Sequence, residues 1–124
     1  MIDLQDCRLR KKVLKMTVKQ LALDPLFDTV CMPSGDREIE GVYIGDLLSW
    51  VMGRAEADNA WITIMSNVNV IAVATLADLS CIILAEGVTP EGEVVELAKQ
   101  KGVNILSSSL ASYEIALKLS DLLK

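Results

Sequence analysis

Apolar residues in this chain fall into short runs separated by polar elbows. One unit recurs: a run of strand type, a turn bearing Gly, Asn or Ser, then a segment of helical spacing. Residues 27–32 read as a strand that Pro33-Ser34-Gly35 ends, and residues 41–45 as a second, with Asp46 the N-cap of a helix over 47–54. Residues 60–65 give the clearest strand. After the elbow 66–69, residues 70–77 are apolar nearly all round, and Asn69 as a cap together with the alanines favours a helix there.

Residues 80–85 are the uninterrupted apolar type expected of a strand covered on both faces. Thr89 as cap and Pro90 at the first helical position start a surface helix that runs to Lys101 and closes at Gly102. A short strand over 103–106, a serine elbow at 107–109 and a final helix over 111–123 complete the series. Ahead of it, Thr17 caps a short helix that Pro25 stops from continuing.

Strands alternating with helices predict a three-layer α/β/α domain around a mostly parallel sheet of about four to five strands. The elbows after the strands then line one edge, where free amides and helix N-termini receive ligands in such folds. On that reasoning Gly45, Asp46, Asn67, Asn69, Thr89, Ser107 and Ser108 are ligand-binding candidates, joined by the turn pair Asp36 and Arg37 as an anion-orienting group.

Two helices carry apolar residues beyond one core face. Trp50 projects off the core side of its helix, and in the last helix Tyr113, Leu117, Leu119 and Leu122 belong to an apolar arc too wide for one small domain to bury. These five are interface candidates, and the arc predicts a homodimer.

Charge narrows the partners. Residues 1–19 hold six basic and two acidic side chains, whereas the rest of the chain holds six and fifteen. An acidic body lacks the surplus of Lys and Arg that a nucleic-acid surface needs. The division also separates a basic extension over 1–15 from a single domain over 16–124.

Three cysteines without CxxC spacing, and no histidine, argue against a disulfide framework or a metal centre, and Cys31 and Cys81 sit in strand-like runs as small core hydrophobes. No apolar run approaches the ~20 residues that span a bilayer, and the N-terminal stretch lacks a signal-peptide centre. The expectation is a soluble, cytoplasmic protein without a cofactor. No nucleophile stands near a base, and no GxxxxGK[ST] loop occurs, so no catalytic residue is assigned.

DREIEG, followed by VYIGDLLSWVMGRA, AWITIMSNVNVIAVATLADLSCIILAEGVTP and GVNILSSSLASYEIALKL, resembles the DRTGG domain family over roughly residues 16–124. Such domains are similar to the N-terminal domain of HPr kinase/phosphorylase, whose chemistry resides in a separate domain. The signature survives as Asp36-Arg37 and, after a longer gap, Gly41. Glu38-Ile39-Glu40 replaces its threonine and paired glycines, and Asn67-Val68-Asn69 stands where the family resembles H-x-N.

The resemblance implies a regulatory module without the kinase. The expectation is a non-catalytic domain, working as a homodimer, that senses a nucleotide or phosphorylated metabolite. The alternatives are an assembly subunit that docks a protein encoded beside it and, in third place, a phosphotransfer enzyme.

Overall fold

A computed structural model describes residues 16–123; the basic extension over 1–15 lies outside the described residues. Seven strands and five helices follow one another: β1 (Met16–Thr17), α1 (Val18–Leu21), β2 (Asp28–Cys31), β3 (Glu38–Ile39), β4 (Val42–Ile44), α2 (Leu48–Arg54), β5 (Ala60–Thr63), α3 (Asn69–Leu76), β6 (Cys81–Leu84), α4 (Gly92–Lys101), β7 (Ile105–Ser107) and α5 (Ser112–Leu122).

The main sheet has five strands in the order β2-β7-β6-β5-β4. β4, β5, β6 and β7 are parallel, and β2 adds to β7 as an antiparallel edge. β1 and β3 form a separate two-stranded ribbon, which two-residue strands leave without any periodicity to betray it.

Alternation along the strands sorts side chains into two cores. Trp61, Ile82, Leu84 and Ile105 face α2, α3 and α4, meeting Val51, Val70, Ile71, Val94 and Ala98. Ala60, Ile62, Cys81, Ile83 and Leu106 face the other way, against Val18 and Leu21 of α1, Ile39 of β3, and Ile115 and Leu119 of α5. The expected three-layer α/β/α architecture with a mostly parallel sheet is present. β5 and β6 are fully buried, as parallel strands covered on both faces must be.

Several local expectations are corrected. α2 begins at Leu48 behind Leu47 and has no side-chain cap, because Asp46 bonds to β5 instead. α3 starts at Asn69, so Asn69 lies inside the helix; Asn67 takes the local role by accepting from the Asn69 amide at 2.9 Å. α4 begins at Gly92 after Glu91, which leaves Thr89 and Pro90 in the preceding loop. Its C-terminal glycine is as expected: Gly102 adopts a left-handed φ of 73° and closes the helix. Thr17 and Gln20 form a capping box at α1.

Leu119 is not an interface residue. It is fully buried in the second core, and Leu122 is half-buried against the same cluster. A helical wheel shows how wide an apolar arc is but not which sectors face the sheet. Tyr113 and Leu117 do remain exposed, at 72% and 50%, as does Trp50 at 52%.

Candidate functional site at the strand ends

The parallel strands deliver their following loops to one edge of the sheet, and hydrogen bonds join these loops in series. After β4, Asp46 folds over the end of β5. Its Oδ1 accepts from the buried Thr63 hydroxyl at 2.8 Å and from the Ile64 amide at 3.0 Å. The Trp61 indole N–H donates to the Gly45 carbonyl at 2.8 Å. The parallel register Ile44↔Ile62 brings these groups together by ending both strands side by side.

The loop after β5 is tied onward, because the Glu91 amide donates to the Ser66 carbonyl at 3.3 Å. After β6, Glu86 and Gly87 are both left-handed, with φ of 58° and 72°. That geometry turns their amides onto the β7 loop, Glu86 N–H to the Leu110 carbonyl at 2.8 Å and Gly87 N–H to Ser108 at 2.9 Å. Between β6 and β7 the connections leave to opposite faces, one to α4 and the other to α5. This is where an α/β sheet usually opens a crevice, and here those two bonds draw the loops together.

The result is a pre-organised ledge running from Asp46 to Leu110. It contains Gly45, Asp46, Asn67, Asn69, Thr89, Ser107 and Ser108, but they are not equally available. Asp46, Asn69 and Thr89 are exposed, Asn67 and Ser107 half-buried, and Ser108 buried, with its Oγ accepting from the Leu110 amide at 3.1 Å. The sequence reading missed Thr63, Ile64 and the Glu86-Gly87 turn. A lone hydroxyl in the apolar run 60–65 and a Glu-Gly pair after a buried strand are the signals that point to them.

Asp36 and Arg37 lie elsewhere. Arg37 precedes β3 and reaches the loops that enter β5 and β6, at the opposite edge. Its Nη2 is 2.7 Å from Asp58 Oδ1 and donates to the Asp78 carbonyl at 2.9 Å, while Nη1 is 3.1 Å from Asp78 Oδ1. Asp58 and Asp78 both have positive φ, 67° and 57°, a conformation that short polar side chains tolerate best after glycine. Asp36 is almost wholly exposed and stands 3.7 Å from Lys19.

Gly41 belongs to the same entry edge. Its φ is 117°, and an added Cβ would stand 3.0 Å from the Asn59 amide nitrogen, which itself donates to the Glu40 carbonyl at 3.2 Å. The segment over 36–41 therefore closes the N-terminal edge of the sheet rather than contributing to the ledge. Ser80 strengthens the closure by donating to the Glu38 and Asp58 carbonyls.

A groove of about 380 Å³ runs between α3 and α4, from Val68 and Asn69 at the ledge past Ala72 and Leu97 to Leu76 and Lys101. Its walls are chiefly aliphatic. Burial pushes the Cys81 thiol up to about 12, so it stays protonated and packs as a small hydrophobe, and burial likewise raises Cys31. Among the described residues no cluster of acidic and cysteine side chains suits a metal ion, and no helix is long and apolar enough to cross a membrane.

A family model described as the DRTGG domain matches residues 29–122, more than half of the chain. The chain belongs to the DRTGG domain family. Its signature residues Asp36, Arg37 and Gly41 are thus the ones that build the entry edge.

Among solved structures, this DRTGG domain is similar to the CBS and DRTGG domains of the regulatory region of Clostridium perfringens pyrophosphatase, in complex with its activator diadenosine tetraphosphate. The TM-score is 0.69 at 19% identity, over 98% of this chain and 51% of that one. At this identity the likeness is one of fold, and this DRTGG domain spans about half the length of that chain. No curated protein matches it.

Proposed function

We infer that this DRTGG domain is a non-catalytic regulatory module. In this reading it binds a nucleotide or phosphorylated metabolite on the strand-end ledge and works as a homodimer. The observation that carries it is the serial bonding of the strand-end loops: Asp46 to Thr63 and Ile64, Ser66 to Glu91, and Glu86 and Gly87 to Leu110 and Ser108. Loops fixed in advance lose little freedom when a ligand arrives, which favours binding. The fold is also one in which a regulatory region has been captured with a nucleotide activator.

The reading assigns no catalysis, since the Ser108 hydroxyl is engaged by the Leu110 amide and has no base beside it. The homodimer is supported by the exposure of Tyr113 and Leu117 on α5 and of Trp50 on α2. A full-length sample run through light scattering should show twice the 13.5 kDa chain mass. A monomer at all concentrations would remove the dimer from the reading.

A thermal-shift series with nucleotides and sugar phosphates tests the ligand, because anything that binds only the folded state raises its melting temperature with concentration. Absence of any shift at millimolar ligand would count against the ledge. A second reading, a protein-docking subunit, rests on one observation: Trp50 is exposed beneath the Arg54 guanidinium, 3.7 Å from its ring centroid, with Leu47 and Met52 exposed on the same short helix. An aromatic and arginine pair is a common anchor in protein interfaces.

A further inference from the structure

The ledge carries charge of one sign. Its loops, residues 44–48, 64–69, 85–91 and 107–111, contain Asp46, Glu86 and Glu91 and neither Lys nor Arg. The first turns of α4 and α5 add Glu93 and Glu114. The described cations lie elsewhere. Arg37 is bound at the entry edge, Arg54 ends α2, Lys99 and Lys101 end α4, and Lys118 is held by Asp24 at 3.1 Å.

A helix N-terminus draws anions through its amide groups. Here acidic side chains already stand at the first turns of α4 and α5, and phosphates placed on the ledge would meet further carboxylates within a Debye length of ~8 Å. Polyphosphate recognition elsewhere depends on Lys, Arg or a metal ion, and the ledge supplies no such side chain.

What it does supply suits an uncharged ring and its hydroxyls. Ile44, Leu47 and Ile64 are exposed at the open β4 corner around Asp46. Asp46 uses Oδ1 for both of its bonds to β5. Its second oxygen is left to accept a ribose hydroxyl, the bond that an acidic residue makes to the sugar in nucleotide-binding α/β folds.

We propose that the ledge recognises its ligand through uncharged groups, taking a nucleoside in preference to its phosphorylated forms. This rests on the reading of the ledge as the ligand site. The site gains nothing from phosphates and is repelled by them, most strongly at low salt.

The test is binding of the full chain to the four common ribonucleosides and to their mono- and triphosphates, at low and high ionic strength and without divalent metal. For the base that binds, the nucleoside should equal or exceed its triphosphate at low salt, and the gap should narrow as salt rises. The double variant Glu86→Gln, Glu91→Gln should tighten the triphosphate roughly two- to fivefold and leave the nucleoside unchanged. Triphosphate binding at least about tenfold tighter than nucleoside, and weakened by salt, would overturn the proposal while leaving the ledge a ligand site. No binding by any compound would overturn both.

Discussion

Arg37 and Asp58 meet at 2.7 Å across the entry edge of the sheet, and the same guanidinium takes the carboxylate and the carbonyl of Asp78. One side chain thus ties β3 to the loops that start β5 and β6. Because a planar guanidinium offers several donors in fixed directions, no other side chain reproduces this set.

Arg37→Ala should therefore lower stability by about 1–3 kcal/mol, mostly from partners left without a donor at a half-buried site. Arg37→Lys should recover only part of that, since an ammonium cannot span both aspartates. Urea denaturation of the three proteins measures the order. Wild-type stability in Arg37→Ala would contradict a structural role for the signature arginine.

Asp46 joins β4 to β5 through the Thr63 hydroxyl, which is wholly buried. Removing the carboxylate in Asp46→Ala should cost about 1–3 kcal/mol by orphaning that hydroxyl and the Ile64 amide. Asp46→Asn keeps one acceptor oxygen and should cost less. Hydrogen exchange at the Ile64 amide reads the bond itself: it should accelerate strongly in Asp46→Ala and little in Asp46→Asn.

Much of the fold was legible because burial writes itself into sequence. β5 and β6 are apolar runs covered on both faces, and α4 shows one stripe facing Val94 and Ala98. Long-range partners are a different matter. Asp46 resembles an N-cap in any window, and only the register of β4 on β5 shows that Thr63 and Ile64 are the groups it satisfies.

The position of Arg37 was hidden for the same reason. Asp58 and Asp78 lie 21 and 41 residues away in sequence, and nothing local says that the turn at 36–37 folds to the entry edge. The ribbon of β1 on β3 was missed because two residues carry no period. Leu119 looked like surplus apolar area until α5 was laid on the sheet.

Asp24 gives a pH signature. The Leu26 amide, donating at 2.9 Å, is the main cause that holds its carboxyl below the ordinary 3.8, with Lys118 at 3.1 Å adding to it and burial opposing. A carboxyl depressed in the folded state stabilises it above the unfolded value, and that contribution is lost as pH falls from 3.8 through the folded value. Asp24→Asn should flatten this part of the acid limb and leave its slope above pH 5 nearly unchanged, as followed by denaturant midpoints across the acid range. An identical acid limb in both proteins would contradict the assignment.

The central claim is that ligand binds at the strand-end ledge and that the family signature at the other edge is structural. Amide chemical-shift mapping during titration of the full chain with the nucleoside series tests it directly. The account predicts saturable shifts confined to residues 45–48, 64–69, 86–91 and 107–111, with Arg37, Asp58 and Asp78 unmoved. Shifts centred on Arg37, Asp58 and Asp78, with the ledge silent, would contradict it.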